Sequence, residues 1–331
     1  MRRKVAAALL VLLAALAPFG ALLLPGAPDA PAPGPTPAPT AEAPAPAQQA
    51  PAATPQPDAD ASAPLTLYDA AAGREIEVTV EEFLLGAAAC EMPPDWPDAA
   101  LCAQMVASHS YALALGEPMQ VNSALCAGWT SAEVLQARWG DAFDEHYARF
   151  AALARQVADA VLCYGGAPAA ACYHSISAGH TEASQNVWLT ALPYLQGVES
   201  PWDKAAPGYE TTVEYSAEQM ASLLQTLGLE PDGDAAAWFG AAERDAAGYV
   251  AQMEVCGQTV AGTALRQALG LRSASFTVDH ADGVFAITTQ GYGHGVGLSQ
   301  YGARAMAQGG AAWQDILTYY FPGCTVERAG A

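Results

Sequence analysis

The chain has 331 residues and carries 13 Lys and Arg against 34 Asp and Glu, a formal net charge of −21 at pH 7. Phosphate backbones are gripped by a basic face, so a chain this acidic is excluded as a nucleic-acid binder, whereas an uncharged or cationic ligand suits its field. The length admits one large domain or two small ones.

Residues 1–24 read as a signal-anchor or transmembrane segment. Arg2, Arg3 and Lys4 precede an apolar stretch from Val5 to Leu24, interrupted only by Pro18 and Gly20. At about 1.5 Å per residue a helix of that length crosses a bilayer. A positive amino end before an apolar core marks export. If retained, the segment holds the rest of the chain at the cell membrane, outside the cytoplasm; if cleaved, it releases a secreted protein. Residues 25–64 are a Pro/Ala-rich linker, too poor in large apolar residues to bury a core and expected to be an extended spacer.

Residues 65–331 are the working domain. Leu65 to Val80 reads as a strand pair turning at Ala-Ala-Gly, with IEVTV alternating as a strand should. Glu81 to Glu91 is a short helix, stopped by prolines at 93, 94 and 97. Asp98 to Leu115 is a second helix with an apolar face. Thr130 and Glu133 have the spacing of a capping box, and Asp141 to Val161 continues helical. Then the pattern changes: VLCYGG and APAAACYHSIS suggest short strands about a glycine turn. YETTVEYS is a strand, and Ser216 with Gln219 caps a helix. YVAQMEVCGQTV, SASFTVDH and GVFAITTQ are strands, and helices return over 299–308 and 311–320. Segregated helices and antiparallel strands, without βαβ alternation, predict an α+β fold around one catalytic cleft.

Seven cysteines stand at 90, 102, 126, 163, 172, 256 and 324, with no C-x-x-C pair. Cys90 and Cys102 lie in apolar helical patterns and read as small core hydrophobes. Cys163, Cys172, His174 and His180 could be drawn together as a zinc set, but core and surface roles explain them as well. No metal or other cofactor is expected.

Three polar segments carry the chemistry. In GYGHGVGLSQYGARAMA, Gly291, Gly293, Gly295 and Gly297 alternate with Tyr292, His294, Val296 and Leu298. If residues 289–298 are extended, the glycines share a bare face that another backbone or a ligand can approach, and His294 points the other way. Ser299 then caps a helix and leaves the Gln300 amide available. No GKS or GKT follows, so this is no phosphate loop. Glu91 closes an apolar helix before Met92-Pro93-Pro94. A lone glutamate at a helix end is ordinarily solvated. Near Trp96 and little else polar, at the carboxyl end of a helix dipole, it reads as an acid of raised pKa. In YHSISAGHT, Tyr173, Ser175 and Ser177 would share a strand face, with His174 opposite.

In this order, EEFLLGAAACEMPPDWPDAALCAQMVASHSYAL (81–113), CYHSISAGHTEASQNVWLTALPYLQGVESPWD (172–203) and GYGHGVGLSQYGARAMAQGGAAWQDILTYYFPG (291–323) resemble the stage II sporulation protein D family, or SpoIID/LytB domain. The resemblance implies a membrane-anchored or secreted protein acting on peptidoglycan glycan strands. It implies a lytic transglycosylase that cleaves MurNAc–GlcNAc bonds of peptide-free glycan in septal wall removal during engulfment. A cell-wall amidase and other engulfment proteins would be its partners. The family's other branch implies a non-catalytic, glycan-binding enhancer of an amidase. The glutamate of the E-M-P segment, Glu91, is the implied catalytic acid. Gln104, His109, Tyr173, His174, Ser177, His294, Ser299 and Gln300 are the expected substrate-binding residues. Two departures stand out. His109 occupies the family's arginine position and supplies no permanent charge. Some relatives bind zinc through a Cys/His cluster after this helix, where this chain offers only Cys126.

Overall fold

The computed structural model describes residues 61–188 and 190–328; the segment read as an anchor and all but the end of the predicted linker lie outside the described residues. Among the described residues no helix is long and apolar enough to cross a membrane. The architecture is mixed helices and antiparallel strands, with two parallel pairings.

The larger body is built around one helix. α1 spans Val80–Glu91 and α2 spans Asp98–Leu115. Every residue of α2 from Ala100 to Ala112 is buried. Its sequence is apolar on nearly all sides and rich in alanine, so neighbours can approach closely all round. Thr79 and Glu82 form the capping box that starts α1: Thr79 Oγ1 accepts from the Glu82 N–H at 3.3 Å, and Glu82 Oε2 accepts from the Thr79 N–H at 2.9 Å. The helix stops at Glu91 because Pro93 and Pro94 cannot continue it. The turn that follows is pinned from α4 (Phe143–Val157). There Arg149 donates to the Pro94 carbonyl, to the Trp96 carbonyl at 2.6 Å and to Asp98 Oδ1 at 2.9 Å.

β1 (Leu65–Asp69) and β2 (Arg74–Val78) form the expected antiparallel pair, and β3 (Met119–Val121) adds a parallel third strand to β1. The Thr130 capping box does not form. α3 (Ala132–Trp139) is preceded by Ser131, and the Thr130 hydroxyl instead donates to the Ser123 carbonyl at 2.7 Å within its own loop. The helix expected to reach Val161 ends at Val157, because Ala160–Tyr164 is drawn into strand β4 by antiparallel pairing with β14 (Thr325–Arg328) at the far end of the chain. Tertiary pairing overrides local propensity there. β5 (Ala167–Pro168) returns from β4 through Gly165 and Gly166, and the short helix α5 (Ser184–Trp188) lies further along the chain.

Residues 210–290 carry a smaller hydrophobic cluster of their own, with Met220, Leu224, Val255, Leu265, Phe276, Phe285 and Ile287 inside. β7 (Glu210–Ser216) runs into α6 (Ala217–Gln225) through the Ser216–Gln219 capping box expected from sequence. β8 (Phe239–Arg244), β9 (Val250–Val255) and β10 (Gln258–Ala261) form one sheet; β11 (Phe276–Ala281), β12 (Val284–Gln290) and β7 form another. α7 (Gly262–Ala268) packs against β9.

The glycine segment is not an extended strand. β12 ends at Gln290, and Gly291, Gly293, Gly295 and Gly297 all carry φ between 75° and 116°. That region is open to glycine and costly to residues with a Cβ. The two-residue period therefore marks a repeated left-handed kink. Close approach is nonetheless real: a Cβ at Gly293 would lie 2.7 Å from His174 Cβ, and one at Gly297 would lie 2.1 Å from the Cys172 carbonyl oxygen. The kinked run docks on β6 (Tyr173–His174) through β13 (Leu298–Ser299), a parallel pair in which Leu298 faces Tyr173 and Ser299 faces His174. It leads directly into α8 (Gln300–Gln308) and then α9 (Trp313–Tyr320).

Candidate active site

Glu91 is half-buried at the carboxyl end of α1. Its Oε2 accepts a hydrogen bond from Gln300 Nε2 at 3.2 Å. The same nitrogen donates its second hydrogen to Gln104 Oε1 at 3.3 Å, and Gln104 Nε2 donates to Ser108 Oγ at 3.0 Å. The Ser108 hydroxyl meets the Tyr173 phenol, which lies within the field of Glu91. α1, α2, β6 and α8 thus each contribute to one polar chain. Gln104 and Ser108, one helical turn apart on α2, are both fully buried. Burial, reinforced by the neighbouring Glu91 carboxyl, pushes the Tyr173 phenol well above its ordinary pKa, so it remains a protonated donor. The expectation of little polar company for Glu91 is corrected by this chain, since Gln300 reaches it directly.

Ser299 caps α8 as expected, accepting from the Gly302 N–H at 3.2 Å. Its hydroxyl donates to Asp203 Oδ1 at 2.8 Å, while the Ser177 hydroxyl and, at 3.0 Å, the Ser177 N–H donate to Asp203 Oδ2. Asp203 is fully buried; desolvation raises its pKa against the opposing pull of these serines. The two serines therefore clamp three chain segments through one carboxyl, and their hydroxyls are committed to it.

His174 and His294 form a neighbouring ring cluster. The His174 Nδ1 faces the Val296 carbonyl at 3.1 Å, so that nitrogen carries the proton, and burial lowers its pKa to about 4. His294 accepts from the Val296 N–H on Nδ1 at 3.1 Å. Its ring lies 5.0 Å from that of Trp188 and 5.8 Å from that of His174. Desolvation, then the nearby His174 and Arg266, push His294 well below its ordinary value. Both imidazoles are neutral, and His294, partly exposed, packs against the rings of Trp188 and His174. Behind them Tyr173 is the shared element, since the backbone of Tyr173 also contacts His294.

His109 is fully buried on another side of α2, about 100° round from Ser108. It lies against Phe83, 6.4 Å between ring centroids, and the Ala160 backbone. Desolvation lowers its pKa to about 4, so this position carries no charge at neutral pH. The residues raised as a zinc set do not fit a metal: among the described residues no group of three or more His, Cys, Asp or Glu stands where it could hold one. His180 instead turns its Nδ1 to the Thr181 carbonyl at 2.7 Å.

Two features escaped the sequence reading. Ser108 was detectable from its four-residue spacing after Gln104. Asp203, the acceptor of both serines, offered no local signal. Beside the polar chain, Tyr301 packs edge-on against Trp96 at 4.9 Å, with the Arg304 guanidinium 5.2 Å above the Trp96 ring. Two concavities among the described residues, of about 370 and 520 Å³, are lined by residues that do not include Glu91.

Together these features define an α+β protein whose candidate site is one glutamate at a helix end, set by amides and hydroxyls from distant segments. A family model for the stage II sporulation protein matches residues 69–164. The chain is 34% identical over 275 residues to stage II sporulation protein D of Bacillus subtilis (strain 168), covering 78% of each chain. It is 32% identical over 267 residues to stage II sporulation protein D of Bacillus amyloliquefaciens, covering 76% of this chain and 75% of that one. The amidase enhancer of Bacillus subtilis is more distant, 26% identical over 294 residues that make up 71% of this chain and 39% of the enhancer. The chain belongs to the stage II sporulation protein D family, as its three signature segments imply.

Proposed function

We propose that the protein is a peptidoglycan lytic transglycosylase acting on peptide-free glycan during sporulation, with Glu91 as its acid and base. The observation that carries this reading is the Gln300–Glu91 hydrogen bond, which ties the glycine-rich signature to the one carboxyl at the end of α1. In the reaction, protonated Glu91 donates to the oxygen bridging MurNAc and GlcNAc as the C1–O bond breaks. The carboxylate so formed takes the proton of the MurNAc C6 hydroxyl, whose oxygen closes on C1 to give a 1,6-anhydro sugar. No water is consumed, so a second carboxylate to activate one is not required, unlike in hydrolases. Gln300 orients the Glu91 carboxyl, Gln104 and Ser108 orient Gln300, and the Tyr173 phenol supplies a protonated donor beside them.

The anchor and spacer read in residues 1–64 would carry this activity outside the cytoplasm, some distance from the membrane. An amidase that strips peptides from the wall is the fitting partner. Glu91→Gln keeps the shape of the side chain and removes the transferable proton. Peptide-free glycan incubated with the wild type should yield anhydro-ended fragments, and the variant should be slower by about 10²–10⁴-fold. The similarity to the amidase enhancer supports a second reading, a non-catalytic glycan binder. Equal binding and no anhydro ends from either protein would select it.

A further inference from the structure

We propose that Cys90 and Cys126 are a redox pair that closes to a disulfide, locking the carboxyl end of α1 to the loop at residues 122–130. Glu82, Gly86 and Cys90 lie four residues apart along one stripe of α1, and each meets that loop. Trp129 Nε1 donates to the Glu82 carbonyl at 3.1 Å, a Cβ at Gly86 would stand 2.3 Å from the Thr130 carbonyl oxygen, and the Cys90 and Cys126 thiols hydrogen-bond each other. Both cysteines are free thiols in the structure. Cys126 follows the short 3-10 turn Ser123–Leu125, in a left-handed conformation with φ of 50°, and is partly exposed; Cys90 is buried.

The two thiols are unequal. The hydrogen bond from Cys90, with help from Thr130 and Arg138, draws Cys126 down to about 6. Burial pushes Cys90 well above its ordinary value; Cys126 and the adjoining Glu91 add to this and Arg138 opposes it. Arg138 also donates to the Ala89 carbonyl at 3.5 Å, so its charge sits at the same helix end. An accessible thiolate in front of a buried thiol is the arrangement of an attacking and a resolving cysteine.

The oxidant is a small-molecule disulfide. The Cys126 thiolate attacks one of its sulfurs; the S–S bond breaks, and the other half leaves as a thiolate and takes up a proton. Cys90 Sγ, losing its proton, attacks Cys126 Sγ in the mixed disulfide and expels the second half, which leaves as a thiol. Two protein thiols are oxidised and one disulfide is reduced to two thiols.

The test treats the full chain with excess oxidised glutathione, then alkylates it and maps peptides without reduction. The expected result is one Cys90–Cys126 linked peptide, reversed by dithiothreitol. Oxidation should also raise Tm by about 5–10 °C and slow amide exchange in the last turn of α1. Cys90→Ser should stop at a mixed disulfide on Cys126. Wild-type protein that keeps both thiols alkylatable, that stops at a stable glutathione adduct on Cys126, or that links only Cys163 to the neighbouring Cys324 overturns the proposal. So does a linked protein whose α1 exchange is unchanged. These readouts do not depend on glycan cleavage.

Discussion

Gly297→Ala should be among the most damaging single-methyl changes in this chain. The residue has φ of +75°, and the added Cβ would stand 2.1 Å from the Cys172 carbonyl oxygen, 2.9 Å from its carbon and 3.2 Å from Phe321 Cε1. The left-handed backbone alone costs a residue with a Cβ about 1–2 kcal/mol. The contact with Cys172 cannot be relieved by a rotamer change, because the obstacle is backbone. That carbonyl accepts from the Leu298 N–H at 3.0 Å, so moving it apart breaks a bond of the short β13–β6 pair and loosens the packing around it. We expect a loss of about 4 kcal/mol or more and a Tm lower by about 10 °C. Gly270→Ala is the control: its φ is +61° and nothing lies within 4 Å of the added atom, so only the backbone cost of about 1–2 kcal/mol applies. Urea and thermal unfolding of both variants decide the matter. Equal losses would refute the argument that close approach, and not conformation alone, demands glycine at 297.

Gln300→Leu removes the donor to Glu91 and leaves the buried Gln104 carbonyl oxygen without it; about 1–3 kcal/mol of stability and at least about tenfold in anhydro-product formation should be lost. Unchanged activity would separate Gln300 from the chemistry. Asp203→Ala leaves the buried Ser177 N–H and hydroxyl without their acceptor and leaves the Ser299 hydroxyl only the Ser175 carbonyl at 3.4 Å; it should cost about 3–5 kcal/mol in urea unfolding, whereas a loss below about 1 kcal/mol would show the clamp to be incidental. His109 and His174 titrate ordinarily near 6.5 and are held to about 4 by burial. The unfolded chain therefore binds protons that the fold refuses. Stability is full above pH 6.5 and falls as the pH drops from 6.5 towards 4, by about 3 kcal/mol per imidazole. His109→Leu should flatten that slope in denaturation curves across the window; an identical slope would refute the assignment.

The end of α1 and the start of α2 were legible because prolines at 93, 94 and 97 are local punctuation; the Thr79–Glu82 capping box that starts α1 at Val80 was passed over, its residues read as the end of a strand. The signature segments likewise pointed to Glu91 and Gln300. The hydrogen bond joining these two follows from topology that no local pattern encodes. The glycine alternation was misread because an extended strand and a series of left-handed kinks share a two-residue period, and sequence alone does not distinguish the sign of φ at glycine. Ser177 and Ser299 were legible as polar groups near a site, but their common acceptor lies 26 and 96 residues away. β4 and its glycine turn were legible in VLCYGG, whereas its second partner, β14, lies near the other end of the chain and left no local sign.

The bond between Gln300 and Glu91 bridges 209 positions of the chain. During synthesis, every residue up to that glutamine must leave the ribosome before the carboxyl acquires this partner. A nascent or prematurely ended polypeptide would thus carry the glutamate without the amide that orients it, and assembly of the site becomes a late event in the life of the molecule.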